Sequence, residues 1–262
     1  GIGVLSKLGL GVNASWGASW AAVDTLIPFK TERITQEWQR VQDENLLGSA
    51  GQRESIQQGV IVRGPIVFDL DFYNFEAILE AALGNAVVGG SYQVSDEIDA
   101  STNSVLRFEF EKSVSRWRIG SAMVDSLEIT GRANGVFELT LNMICRDLSR
   151  SATAFPSLTM TSYRRVTWSD INYFRLGAID DALDSGDNLA ISEYTLRFSR
   201  NLADPEHDSE NSTYVPIPIL GGFRQVQLEV ALPRYNADTI QDWKDDDTTL
   251  QSKLTLLYGS KQ

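Results

Sequence analysis

Few residues in this chain are equipped for chemistry. The one histidine, His207, lies in Asp204-Pro205-Glu206-His207-Asp208-Ser209-Glu210. A histidine between carboxylates can ligate a metal or act as a base of raised pKa, but this Pro-, Asp- and Ser-rich composition is that of a solvated loop. Any Ser-His-Asp or Cys-His device would have to use it, because the chain has no other. The single cysteine, Cys145, ends the run Leu141-Asn142-Met143-Ile144 and reads as a buried small hydrophobe rather than a nucleophile. One cysteine excludes an internal disulfide and a thiolate zinc site, and fits folding in a reducing cytoplasm. Gly1-Ile2-Gly3 and Gly9-Leu10-Gly11 lack the rest of a dinucleotide fingerprint. Carboxylates are abundant, with 35 Asp and Glu against 23 Lys and Arg for a net charge of −12. That supply permits a glycosidase-type carboxylate pair, yet nothing singles one out. No catalytic residue, metal ligand or cofactor is assigned. The negative sign also argues against a phosphate-neutralising DNA-binding surface and against attraction to anionic lipid, and no apolar run approaches the roughly 20 residues of a membrane helix.

The elements that must position any site are mostly strands. Residues 1–24 are rich in Gly, Ala and Ser with Trp16 and Trp20, and read as an arm that packs onto something. From Ile27 the period becomes two. Ile66, Phe68, Leu70 and Phe72 alternate with Val67, Asp69 and Asp71; Leu106, Phe108 and Phe110 with Arg107, Glu109 and Glu111; Phe137, Leu139, Leu141 and Met143 with Glu138, Thr140 and Asn142. This is the pattern of half-buried antiparallel strands. Ala133-Asn134-Gly135 predicts a hairpin turn between Val124–Thr130 and Val136–Ile144. Asn74–Gly84 breaks the period and predicts a short helix, with Asn74 as N-cap, Gly84 as stop and Phe75, Ile78, Leu79 and Ala82 on one face.

The sequence also resembles itself. Residues 59–74 align without gaps to 221–236 at an offset of 162, matching Gly59 to Gly221, Ile66, Phe68 and Leu70 to Leu228, Val230 and Leu232, and Tyr73-Asn74 to Tyr235-Asn236. A strand and a long polar loop precede each copy (Thr31–Trp38 with Val41–Gln58, then Ser192–Ser199 with Ala203–Ile219). The expected organisation is an arm (1–24), a first domain (25–150), a linker (151–162) and a second domain (163–262) that is incomplete at its C-terminal end.

At this point the chain resembles the tail tube proteins of long-tailed, non-contractile bacteriophages, in the form with a duplicated tube domain. The likeness is carried by Leu26-Ile27-Pro28-Phe29-Lys30-Thr31-Glu32, by Asp43-Glu44-Asn45-Leu46-Leu47-Gly48, by Gly59–Gly64, by the helix Phe75–Leu83 with Gly84, and by Val124-Asp125-Ser126-Leu127-Glu128-Ile129. It implies a mainly β fold of two tandem β-sandwich or barrel domains, each with a short flanking helix. Such domains form rings with a continuous inner β-barrel, and the rings stack into a tube that conducts the genome into the host. It implies a virion protein assembled in the host cytoplasm. Its partners would be its own copies, the tape measure, tail terminator and tail tip proteins, and double-stranded DNA passing without sequence-specific contact. No membrane is implied.

Two sets of site residues follow from that resemblance and the patterning. Acids at polar strand positions are expected to face the lumen, where carboxylates repel phosphate: Asp69, Asp71, Glu109, Glu111, Glu128, Glu138 and Glu229. The arm and the two long loops are expected to touch the next ring through Trp16, Trp20, Leu46, Leu47, Ile56 and Tyr214, apolar groups otherwise left in water. A ring needs three chains if each supplies two domains, and six if each supplies one. The competing readings are a β-sandwich carbohydrate-binding or adhesin module, for which the scattered tryptophans offer no platform, and a carboxylate-pair glycoside hydrolase.

Overall fold

Alternation of apolar and polar side chains is realised as an antiparallel, mainly β structure. The computed structural model describes residues 6–42, 55–83, 105–112, 115–160, 162–179, 182–207, 214–233 and 249–257. Its strands are β1 (Lys7–Asn13), β2 (Thr25–Ile27), β3 (Thr31–Glu32), β4 (Thr35–Gln42), β5 (Ser55–Asp69), β6 (Val105–Lys112), β7 (Ser115–Arg132), β8 (Glu138–Cys145), β9 (Ser149–Ser151), β10 (Ile171–Ala178), β11 (Asn188–Leu189), β12 (Glu193–Ser199), β13 (Gln225–Ala231) and β14 (Leu250–Leu256), with one α-helix, α1 (Glu76–Leu83).

The main path of the sheet runs β2-β1-β6-β7-β8-β5-β3. Its first and last strands, β2 and β3, are separated in the chain only by residues 28–30, so the sheet curls back towards itself. It does not close into a barrel. Side chains span the mouth instead: Phe29 meets Phe110 edge-on at 6.4 Å, and Lys112 pairs with Glu32. The concave side holds Leu8, Leu10, Ile66, Phe68, Phe108, Ile119, Leu139 and Leu141, all buried. Each such side chain contributes about 1.5–3 kcal/mol by leaving water.

β7, 18 residues long, is the spine. Its first half pairs with β6 and its second half with β12 along one edge, while β9 and β8 take the other edge. A register shift between Val124 and Ser126 bends it midway. The β7–β8 turn is the predicted one, with Asn134 at φ 64° and the Gly135 amide donating to the Arg132 carbonyl at 2.9 Å. The helix α1 lies within the expected span and buries Ile78, Ala81 and Ala82, with Phe75 buried just before it; Asn74, expected as its N-cap, instead turns its side-chain amide to the Asp71 carboxylate at 3.0 Å and the Ser162 carbonyl at 3.2 Å. Phe75 meets Phe68 at 5.7 Å. Gly84 and the second expected helix, after Asn236, fall outside the described residues.

Residues 7–13, expected within an arm, form β1 between β2 and β6. The rest of that segment folds back over the convex side of β1, β6 and the start of β7. There Gly9 leaves room for Val23 and Leu158 against the backbone, and the buried Arg107 donates to the Ala22 carbonyl at 2.7 Å.

The second segment repeats parts of the first segment's strand plan. A separate sheet of order β11-β10-β14 has the arrangement of β2-β1-β6, a first strand flanked by a short strand and a later one, both antiparallel to it. The β12–β13 pair follows the plan of the strands against β5. Because β12 also pairs with β7, the two segments share one six-stranded antiparallel run, β4-β5-β8-β7-β12-β13.

Candidate functional site

Cross-strand register fixes which side chains share a face of that run. One row is Ile66, Leu141, Leu127, Phe198 and Val226, and another is Phe68, Leu139, Ile129, Leu196 and Leu228. These look into the core. The rows between them look the other way: Pro65, Asn142, Ser126, Ser199 and Gln225; Val67, Thr140, Glu128, Arg197 and Gln227; Asp69, Glu138, Thr130, Thr195 and Glu229. The result is a polar surface five strands wide.

Asp69, Glu128, Glu138 and Glu229, all named from the sequence, are thus brought onto one face in two adjacent rows. None stands as an isolated charge. Arg197 lies 2.8 Å from Glu128 and 3.0 Å from Glu229. Lys30 reaches Asp69 at 2.6 Å and also Glu138, and Arg165 reaches Asp69 at 3.1 Å. Partial burial works against the charge on Lys30, but the carboxylates of Asp69 and Glu138 outweigh it and raise its pKa. Arg132 pairs with Glu193 at 3.6 Å across a polar cleft of about 540 Å³. The face is a mosaic of paired charges, and the pairing cations are what a reading of the acids alone left out. Arg197 was legible, since it stands at a polar position of an alternating strand. Lys30, which follows Pro28, lies outside strand alternation and gave no such signal.

The other acids stand elsewhere. Asp71 is buried and accepts from the amides of Tyr73 at 2.6 Å and Asn74 at 2.9 Å, shaping the turn into α1. Glu109 is only 1% exposed and pairs with Arg118 at 3.1 Å under the covered convex side. Glu111 sits nearby between Lys7 at 2.9 Å and Arg116 at 3.4 Å. Its pKa is lowered, first by the hydrogen bond from Lys7.

Among the residues expected at a ring-to-ring contact, Trp16 and Tyr214 come together. The Trp16 indole donates to the Val215 carbonyl at 3.2 Å, and Arg146 lies 4.0 Å over the Tyr214 ring. Trp20 instead stacks on Arg118 at 4.5 Å. Leu46 and Leu47 lie outside the described residues, and Ile56 belongs to β5, opposite Val41. The other described tryptophans are dispersed as well. Trp117 donates to Ser115, Trp168 stacks on Phe137, and Trp38 is exposed on β4.

His207 and Cys145 have structural places. His207 Nε2 lies 3.0 Å from the Val60 amide and 2.7 Å from its carbonyl, so either tautomer finds a partner, and only glycine at position 59 admits the ring. Burial pushes the Cys145 thiol far above its usual pKa. Among the described residues no group of three or more His, Cys, Asp or Glu could hold a metal, and no helix is long and apolar enough to cross a membrane. Sequence reasoning missed Arg200 altogether. It is buried, and its guanidinium donates to the Ala81 carbonyl at 2.9 Å, in the last turn of a helix that has no basic residue there itself.

The described residues thus form an antiparallel, mainly β chain with one polar, charge-paired sheet face. The phage tail tube protein family matches residues 3–261, and the chain belongs to that family. No curated protein matches the sequence. The chain is therefore a structural component of a phage tail, a part of the virion that assembles with itself and meets other tail components.

Proposed function

We propose that copies of this chain close into rings, that the rings stack into the tail tube, and that the polar face of the six-stranded run lines the conduit through which the genome leaves. The observation that carries this reading is the composition of that face. Its Ser, Thr, Asn and Gln carry no charge, and its carboxylates and cations hold one another at short range. Paired charges have little field beyond about 10 Å at ordinary salt. A phosphate meeting Arg197 or Lys30 would have to displace a carboxylate, so the counterion release that drives DNA binding is small. Double-stranded DNA, and a tape measure protein before it, can pass such a wall without adhering. The tail terminator and tail tip proteins would meet the two ends of the stack, with assembly in the host cytoplasm. By the internal repeat, three chains make a ring.

Negative-stain and cryo-electron microscopy of the purified protein test this. Stacked rings with Glu128 and Glu229 on the inner wall are expected. Rings whose inner wall is instead the convex side around Glu109 would overturn the lining. Six equivalent copies of Tyr73 per ring would overturn the count of three.

A further inference from the structure

The three-stranded sheet β11-β10-β14 turns one side to the core through Phe174, Leu176 and Leu254. Its other side carries Tyr173, Arg175, Lys253 and Thr255, with Arg175 directly opposite Lys253 and Tyr173 directly opposite Thr255. Two cations facing each other across a strand pair repel and weaken the sheet. In a chain of net charge −12 a carboxylate between them would be the ordinary remedy, yet among the described residues neither cation has one as a partner. Arg175 donates through Nε to the Asn188 side chain at 3.0 Å and through Nη1 to the Leu183 carbonyl at 3.0 Å, and its guanidinium lies 3.9 Å over the Tyr173 ring. The acids of the neighbouring turn are engaged within it: Asp184 accepts from the Gly186 amide at 2.6 Å, and Asp187 from the Asp184 amide at 2.8 Å. Arg175 is therefore fixed in place by neutral groups, the arrangement in which a guanidinium is ready to receive an anion. Lys253 is exposed beside it.

The same side of β2-β1-β6 in the first segment shows the contrast. Gly9 lies opposite Leu26 and Glu109 as Arg175 lies opposite Asn188 and Lys253, so by register Glu109 holds the place of Lys253. There Glu109 meets Arg118 at 3.1 Å and Glu111 meets Lys7 at 2.9 Å, and the charges are neutralised inside the subunit. The second sheet keeps the strand plan without that neutralisation. Its polar side already favours negative charge, for the Tyr173 phenol lies below its ordinary pKa, first through the hydrogen bond with Thr255 and then through Lys253 and Arg175. We propose that Arg175 and Lys253, with the hydroxyls of Tyr173 and Thr255, form a seat for one oxyanionic group, a phosphate or a carboxylate, that comes from outside the subunit. A single group fits better than a nucleic-acid strand. The two cations stand on facing positions and converge on one anion, and a polyanion would gain only their two contacts against the repulsion of an acidic chain.

Titration of the full chain with inorganic phosphate at neutral pH and constant ionic strength, followed by NMR through the backbone amides of β10 and β14, tests the seat. A second titration uses a tetraglutamate peptide with blocked ends. At least one probe is expected to shift these amides to saturation with a Kd of about 1 mM, the range of two charge-assisted hydrogen bonds to an exposed anion. Tighter binding of phosphate identifies a phosphate ligand, and tighter binding of the peptide identifies an acidic side chain of a protein partner. Arg175→Gln and Lys253→Gln are each expected to weaken the tighter probe about tenfold or more, whereas Lys7→Gln, on the corresponding side of the first segment's sheet, leaves it unchanged. If Arg175→Gln loosens β11, Lys253→Gln, at an exposed position, carries the comparison alone. Lys253→Glu supplies the missing carboxylate. It is expected to melt above wild type in chloride, and the gap is expected to narrow as the tighter probe is added, because only wild type gains from binding. Comparing the two proteins in one buffer cancels the general stabilisation that phosphate gives any fold. No saturable shift with either probe, wild-type affinity in Lys253→Gln, equal weakening by Lys7→Gln, or a gap that does not narrow would each overturn the seat.

Discussion

Glu109 and Arg118 offer a sharp test of how the convex side is built. If Glu109 faced a water-filled lumen, exchanging it would cost almost nothing. In the structure it is buried, and its partner Arg118 keeps about a quarter of its side chain in contact with water, bonded also to Thr153 at 2.6 Å and covered by Trp20. The two truncations should therefore differ. Arg118→Ala strands a carboxylate that cannot reach solvent, and the cost should fall near the about 3–5 kcal/mol of a broken buried pair. Glu109→Ala leaves a guanidinium that can swing outwards, and the cost should be about 1–2 kcal/mol, close to one charged hydrogen bond. The double variant should resemble Glu109→Ala, giving a coupling as large as the cost of Arg118→Ala itself, about 3–5 kcal/mol. Urea unfolding followed by tryptophan fluorescence, at protein concentrations where wild type is monomeric, measures this. With a urea slope of about 3 kcal/mol/M for a chain of this size, Arg118→Ala should lower the midpoint by about 1 M or more. Equal losses, or a larger loss for Glu109→Ala, would refute the reasoning.

Other outcomes follow from the same contacts. Arg200→Met should cost about 1.5–3 kcal/mol, by removing the charged donor to the Ala81 carbonyl, and hydrogen exchange should show the loss concentrated in α1. Cys145 should resist a water-soluble disulfide reagent at pH 8 in the native state and react fully in urea, since burial raises its thiol pKa; rapid native labelling would show that β8 opens. Lys7 holds the Glu111 carboxyl below its ordinary value of 4.5, so this stabilisation is present above that pH and lost as pH falls through the lowered folded value. The gap in melting temperature between wild type and Lys7→Met should accordingly close on acidification, and a gap that widens would contradict the pairing. Deleting Asn45–Ser55 should leave a folded subunit that no longer stacks, as judged by rings without tubes in negative stain.

Much of the architecture was legible because alternation is a local property. Ile66 and Phe68, Leu106 and Phe108, and Leu139 and Leu141 each announce a strand with one buried side, and Asn134-Gly135 announces its turn, from neighbouring residues alone. The helix could be read likewise from the spacing of Phe75, Ile78 and Ala82. Alternation at Leu228 and Val230 likewise marked β13, although it does not say that β12 joins the sheet of the first segment.

Alternation gives two faces to a strand but does not say what lies over either. β6 shows why. Phe108 and Glu109 have opposite sides of one strand, and both are buried, because residues 14–24 and 151–158 fold across the side that the pattern marks as polar. The placement of Glu109 beneath Arg118, the pairing of Arg197 with carboxylates from two neighbouring strands, and the seat of Arg200 on a helix over a hundred residues away all depend on contacts between distant parts of the chain. By itself the sequence determined the class of fold, the alternating strands and the family, though not that residues 7–13 form β1. Only the tertiary structure decided which acids share one face and which are consumed inside the subunit, because burial and pairing are properties of packed surfaces and not of neighbouring residues.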